Sequence, residues 1–234
     1  MTPGEVEGEG WAAKTVGLLL FLGVGIYALG VLGSYPAIGT LGLVGGLHPL
    51  VWLGYLLMGA AVILAIVRIR TKPAYPVIAS LVVLTALHAL PILIEGTARF
   101  PFSYSVSGHV ANILQRGFLD PTLLPYQNWP GMMILGSALF LVPTLEPGQA
   151  MALFYILVPW MLFFLVYGIA SHLFQDPVKR WLAVWLFLLV NWVGQGYFIP
   201  ASVGLVLVAS SLFVLIRLSE GPSLSAHPRR TAWV

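Results

Sequence analysis

Two carboxylates, an imidazole and two guanidinium groups share one polar stretch of an otherwise lipid-like chain: Glu95, Arg99, His109, Arg116 and Asp120. Tyr126, Gln127, Asn128 and Trp129 follow at once, held extended by Pro121, Pro125 and Pro130. A carboxylate at the lipid–water boundary stays ionised at modest cost and can face substrates that ride in the membrane. A guanidinium grips phosphate bidentately. Aromatic faces stack on the apolar side of a sugar ring while amide edges bond its hydroxyls. Glu95 and Asp120 are the candidate catalytic acids. Arg99, His109, Arg116, Tyr126, Asn128 and Trp129 are candidates for binding, together with Gln195 and Tyr197 farther along.

Each of these residues also has a plainer reading. Glu95 can be a solvated helix end, and Asp120 before Pro121 is a turn signature. Tyr126 and Trp129 suit an interfacial aromatic belt equally well. His109 has no second histidine at ligand spacing, so it does not read as a metal site. Glu146, just ahead of a helix start, reads as a cap. His88, inside an apolar run, reads as a packed, hydrogen-bonded residue.

The surrounding composition sets the class. Of 234 residues 59% are hydrophobic and only 8% charged, and the mean hydropathy is +0.94. Soluble domains carry roughly a quarter charged residues. The pI of about 9.3 does not mark a nucleic-acid binder, because the basic residues flank apolar segments and form no stripe. With no cysteine, disulfides and thiolate chemistry are excluded. The flank MTPGEVEGEGWAAK is acidic and no small-residue cleavage site follows, so the first apolar run is expected to be retained as a span.

Apolar runs long enough to cross about 30 Å of hydrocarbon fall at about 12–34, 50–68, 77–94, 150–174, 180–194 and 200–218. The expected architecture is therefore all-α: one polytopic transmembrane bundle of about six spans over residues 1–234. A large outer loop, 95–148, carries an interfacial amphipathic helix, and a disordered cytoplasmic tail covers 219–234. The fifth span is short, contains Asn191 and is followed by GQGYFIP, so spans five and six read as a tight hairpin. Lys14, Arg68, Arg70, Lys72, Lys179, Arg180, Arg217, Arg229 and Arg230 fall on one side, against Arg99 and Arg116 on the other. That bias predicts both termini in the cytoplasm of a plasma-membrane protein, with the 95–148 loop outside.

Within the loop, Val106, Val110, Ile113 and Leu114 form one apolar stripe, and His109, Asn112 and Arg116 fall on a different face. Ser103 or Ser105 is placed to cap this helix and Gly117 to end it. It is expected to lie on the outer leaflet, apolar side down. The run GMMILGSALFLVP is too short to span and reads as half-embedded or re-entrant. Gly42 and Gly46, at GxxxG spacing, read as a close helix contact.

The phrases YQNWPGMMILGSALFLV and NWVGQGYFIPASVGLVL resemble stretches of polytopic membrane glycosyltransferases of the GT-C type. Trp129–Pro130–Gly131 and Asn191–Trp192–Val193–Gly194–Gln195 carry the resemblance, which covers about residues 95–217 and corresponds to the N-terminal portion of such enzymes. It implies transfer of a sugar from a polyprenyl-phosphate-linked donor on the non-cytoplasmic face. Glu95 would act as base or help hold a divalent cation such as Mg²⁺ or Mn²⁺, Arg99 or Arg116 would steady the leaving phosphate, and Tyr126, Asn128 and Trp129 would grip the sugar. The implied partners are the bilayer, the lipid-linked donor and a second membrane subunit supplying further spans, with no nucleic acid. Two other classes stay open: a non-catalytic membrane subunit, and a small transporter component with the GQGYFIP break lining a path.

Overall fold

A computed structural model describes residues 3–36, 42–69, 72–96, 100–120, 131–142, 146–190 and 197–219. Eight α-helices account for most of them. They are α1 (Pro3–Leu32), α2 (Pro49–Arg68), α3 (Ala74–Glu95), α4 (Pro101–Arg116), α5 (Gly131–Phe140), α6 (Pro147–Leu173), α7 (Pro177–Val190) and α8 (Pro200–Ser219). Proline opens six of these helices within the first two positions of their printed bounds, where a missing N–H costs nothing. Five of the eight are long and apolar enough to cross a membrane: α1 from Gly8, α2, α3, α6 and α8. The chain is a multi-pass helical membrane bundle.

α7 has 14 residues, about 21 Å of helix at 1.5 Å per residue, short of the hydrocarbon thickness. Its neighbours α6 and α8 meet at both ends. The ring of Phe154, near the start of α6, meets Phe198 just before α8. Gly168, near the end of α6, meets Phe213 near the end of α8. The two helices therefore run parallel. Positions 191–194 of the expected fifth span lie outside the described residues.

The same contacts sort the helix ends. Ala12, Ala65, Ile69 and Tyr75 pack at one end of the bundle, and Ala170, Trp181 and Val77 pack beside them. Lys14, Arg68, Lys72, Lys179, Arg180 and Arg217 belong to that end. Glu95, the starts of α4 and α6 and Tyr197 belong to the other. The charge asymmetry of the sequence is thus an asymmetry between two ends of one bundle.

α1 and α2 form an antiparallel hairpin with little between them. A Cβ on Gly30 would lie 2.5 Å from the Val51 backbone nitrogen, and one on Gly54 would lie 2.7 Å from Tyr27 Cβ. α3 is tied to this pair by the Tyr27 and Tyr55 hydroxyls, which both donate to the Ala86 carbonyl, at 2.8 and 3.1 Å. Gly42 and Gly46, expected at a helix crossing, instead lie in a short 3-10 turn over Gly42–Gly46, with Gly42 at φ +55°. The close approach belongs to Gly23, Gly30 and Gly54.

α4 begins at Pro101 with Phe100 as its N-cap residue, so Ser103 and Ser105 lie inside the helix and do not cap it. Pro101 at the first helical position sets that start. Gly117 ends the helix as expected, at φ +75° with its N–H on the Ile113 carbonyl. Val106 and Val110 of its stripe are fully buried, but against protein: they join Met132 and Met133 of α5, Met151 and Phe154 of α6, and Phe198. Gly136 of α5 leaves room for Val110, since a Cβ there would lie 2.7 Å from its Cγ2. α5 spans about 15 Å, too little to cross a membrane, as its length implied.

Candidate functional site

His88, Pro91, Ile92 and Glu95 recur at helical spacing and so share one face of α3. The first three line a cavity of about 300 Å³ between α3, α6 and α7, whose walls also include Tyr155, Trp185, Leu189 and Tyr197. Glu95 is half-buried one turn beyond Ile92, at the end of the helix and on the same face. Gly96 closes α3 there in the left-handed region, at φ +67°, its N–H donating to Ile92.

Tyr197 is fixed from three sides. Its ring stacks on Phe100 (4.7 Å between centroids, 11° between planes) and meets Tyr155 edge-on at 5.0 Å. Its carbonyl accepts from Ser202 Oγ at 2.6 Å. Tyr155 is held in turn by Ser103, its hydroxyl 3.3 Å from Ser103 Oγ. One buried serine of α4 thus connects the loop helix to the cavity wall, a link that the expected capping role of Ser103 would have missed.

Two helix prolines shape the backbone of the cavity. Pro91 has no N–H to give the Leu87 carbonyl, and Pro159 has none for Tyr155. Leu87 and Tyr155 both line the cavity, and the carbonyl of each lacks its usual i+4 N–H partner. Such carbonyls inside a membrane protein are met by water, a side chain or a ligand. α3 and α6 are tied just below by Trp160 Nε1, which donates to Thr85 Oγ1 at 3.1 Å.

Arg116 and Asp120 form an ion pair at 3.6 Å, with side chains 48% and 20% exposed. Asp120 therefore meets the guanidinium that was expected to meet a phosphate. Arg116 is the last residue of α4, and Phe100, stacked on Tyr197, precedes its first. Sixteen residues of helix put roughly 24 Å along the axis between the pair and that stack. Asp120 and Arg116 are thus remote from the cavity, and His109 is half-buried midway along α4. Tyr197 is the sequence-derived candidate that lines the cavity, and Glu95 lies one turn past Ile92 on the α3 face that does. Arg99, Tyr126, Asn128, Trp129 and Gln195 lie outside the described residues, as do Asn191 and the tail from 220.

Three cavity residues escaped the sequence reading. His88 was taken as packed, yet it lines the cavity, and Tyr155 and Trp185 were not singled out. A signal did exist for the first, in the spacing of His88, Pro91, Ile92 and Glu95. Glu146 does what its position implied: its backbone N–H donates to Gln149 Oε1 at 3.1 Å, half of a capping box at the start of α6. Among the described residues no group of three or more His, Asp or Glu side chains comes together.

Comparison with family models, with curated proteins and with solved structures found no match to this chain.

Proposed function

We propose that the chain is a membrane glycosyltransferase-like enzyme that takes a sugar from a polyprenyl-phosphate-linked donor, with Glu95 as general base. The observation that carries this reading is the position of Glu95: half-buried, at the end of α3, on the helix face that lines the cavity below it. A carboxylate there meets a membrane-borne hydroxyl without leaving the aqueous boundary. It would take the proton of the acceptor hydroxyl as that oxygen bonds to the anomeric carbon and the carbon–oxygen bond to phosphate breaks, the electron pair leaving with phosphate. Arg99, four residues beyond Glu95, is the cation nearest in sequence to steady that charge. Arg116 is too far along α4 for the task.

The accompanying topology puts the basic end of the bundle in the cytoplasm of the plasma membrane, both termini with it, and Glu95 outside. A second membrane subunit would cover α8, the least buried of the five long helices.

Glu95→Gln keeps the shape and removes the base. Transfer from a polyprenyl-phosphate sugar should fall by about 10²–10⁴-fold in reconstituted membranes, with unchanged yield of folded protein. Transfer at the wild-type rate would remove the reading.

A further inference from the structure

The starts of α4 and α8 meet α6 at one tyrosine. The Tyr155 hydroxyl, carried by α6, lies 3.3 Å from Ser103 Oγ, and a backbone bond from Phe100 reaches the same hydroxyl. Phe100 is the N-cap residue of α4, and Ser103 belongs to its first turn. The ring of Phe100 stacks on Tyr197, and Tyr155 meets Tyr197 edge-on. Tyr197 is tied in turn to the start of α8, its carbonyl accepting from Ser202 Oγ at 2.6 Å and from the Ile199 N–H at 2.8 Å. Tyr155 and Ser103 are both buried.

The start of α4 needs such a partner. Its N-cap residue is a phenylalanine with no side-chain bond to the first turn, and Pro101 follows it. The first N–H groups of a helix have no partner within it. Here a hydroxyl reaches that end from α6. It does more than satisfy polar groups. Stacked rings tolerate a range of offsets, whereas a hydrogen bond weakens steeply with distance and angle. The Ser103–Tyr155 contact therefore fixes the register of α4 on α6, which the Phe100–Tyr197 stack alone would leave loose.

That register matters because of what precedes α4. Glu95 ends α3, Gly96 closes the helix, and Phe100 comes four residues later with Arg99 directly before it. Four residues of chain reach at most about 14 Å. Holding Phe100 against Tyr155 and Tyr197, both in the cavity wall, thus confines the segment that runs from the base through Arg99. We propose that Tyr155 is a positioning residue for the transfer reaction: its hydroxyl pins the start of α4, and with it the short segment between Glu95 and Phe100, to the wall of the cavity. This rests on Glu95 being the base. Misplacing a reacting group by an ångström can cost about 100-fold in rate.

The test compares hydroxyl deletions in the full chain reconstituted in proteoliposomes. The readout is release of polyprenyl phosphate from a polyprenyl-phosphate hexose, the product common to every acceptor. Tyr155→Phe and Ser103→Ala should each lower kcat about 10–100-fold while KM for the donor stays within about twofold. The double variant should be no slower than Tyr155→Phe, because both changes break one contact. Ser103→Thr, which keeps a hydroxyl, should retain most of the rate. Tyr55→Phe removes a hydroxyl of the same kind on the other side of α3 and should keep the wild-type kcat. Amide hydrogen exchange over residues 100–106 should quicken about fivefold in Tyr155→Phe, the factor of one hydrogen bond, and stay unchanged in Glu95→Gln. Wild-type kcat in Tyr155→Phe beside an inactive Glu95→Gln sinks the positioning role alone, and so does an equal loss in Tyr55→Phe. A wild-type protein that releases no polyprenyl phosphate sinks the base assignment and the positioning role together, whatever the exchange shows of the α4 contact.

Discussion

On one side of α3 the bundle is closed by backbone-to-backbone packing; on the other it is held apart. Toward α1 and α2, Gly23, Gly30 and Gly54 let main chains touch, and two tyrosine hydroxyls share one carbonyl of α3. Toward α6 and α7, contact is made by large rings: Trp160 on Thr85, Tyr155 on Tyr197, Phe163 near Trp181. Rings at such an interface act as spacers, and space remains where they do not meet. A helix hairpin packed through glycines is a scaffold, whereas one packed through aromatics beside two prolines has room for a ligand. The membrane makes this division matter, because lipid tails give helices no hydrophobic reason to associate and packing must do it.

The sharpest way to break this comparison is a single methyl group on the closed side. Gly54→Ala puts a Cβ 2.7 Å from Tyr27 Cβ and 2.8 Å from its Cα, atoms that cannot move without shifting α1. A loss of about 2–3 kcal/mol of stability is expected, read as a lower melting temperature in detergent. A wild-type melting temperature would show that α1 and α2 are not packed as described.

The packing behind this prediction was only half legible in the sequence. Long apolar runs gave the spans, because a bilayer imposes a length that any chain must meet. Gly117 and Glu146 were legible too, since a left-handed helix end and a capping box are made by residues three or four apart. Which glycine faces which helix is not local. Gly42 and Gly46 had the spacing of a helix contact, but lie in a turn between helices, while Gly30 meets Val51 and Gly54 meets Tyr27 across a hairpin with no shared motif. The cavity was hidden for the same reason. His88 and Tyr197 are 109 positions apart, and only the parallel run of α6 and α8 brings them to one space. Glu95 stands out in the sequence as a carboxylate at the end of an apolar run, and that end is where α3 stops.

A milder probe of the closed side removes its hydrogen bonds and leaves its shape. Tyr27→Phe and Tyr55→Phe each delete one donor to the Ala86 carbonyl. Interhelical bonds in membranes average about 0.6 kcal/mol, so each variant should lose about that much. Because both hydroxyls use one acceptor, either bond strengthens when the other is removed. The double variant should then cost more than the sum of the singles, a coupling measurable in a thermal double-mutant cycle. Strict additivity would mean that the two tyrosines act on α3 independently.

The open side should answer a methyl group in the opposite sense. Gly59 is in α2, five residues beyond Gly54, but it borders a void of about 370 Å³ between α2 and α7 and has no heavy atom within 4 Å of a Cβ placed on it. Gly59→Ala should stabilise by up to about 1 kcal/mol, because alanine loses less backbone freedom in a helix than glycine. The pair Gly54→Ala and Gly59→Ala therefore tests the comparison within one helix, with expected shifts of melting temperature in opposite directions.

The smallest effect is expected farthest from both faces, at the Arg116–Asp120 pair. The two side chains are an i,i+4 pair beyond the end of α4, 3.6 Å apart and open to solvent on the arginine side. Exposed pairs of this kind contribute about 0.3–0.5 kcal/mol and weaken with salt. Arg116→Ala should lower the melting temperature by a degree or less, and the difference from wild type should shrink as salt is raised. Transfer from a lipid-linked sugar should stay near the wild-type rate, because about 24 Å of helix separates Arg116 from the Tyr197 stack. A large loss of transfer with a small loss of stability would bring Arg116 back to the donor phosphate. It would require the far end of α4 to reach the cavity rim, and the division between a structural end and a chemical end of that helix would fail.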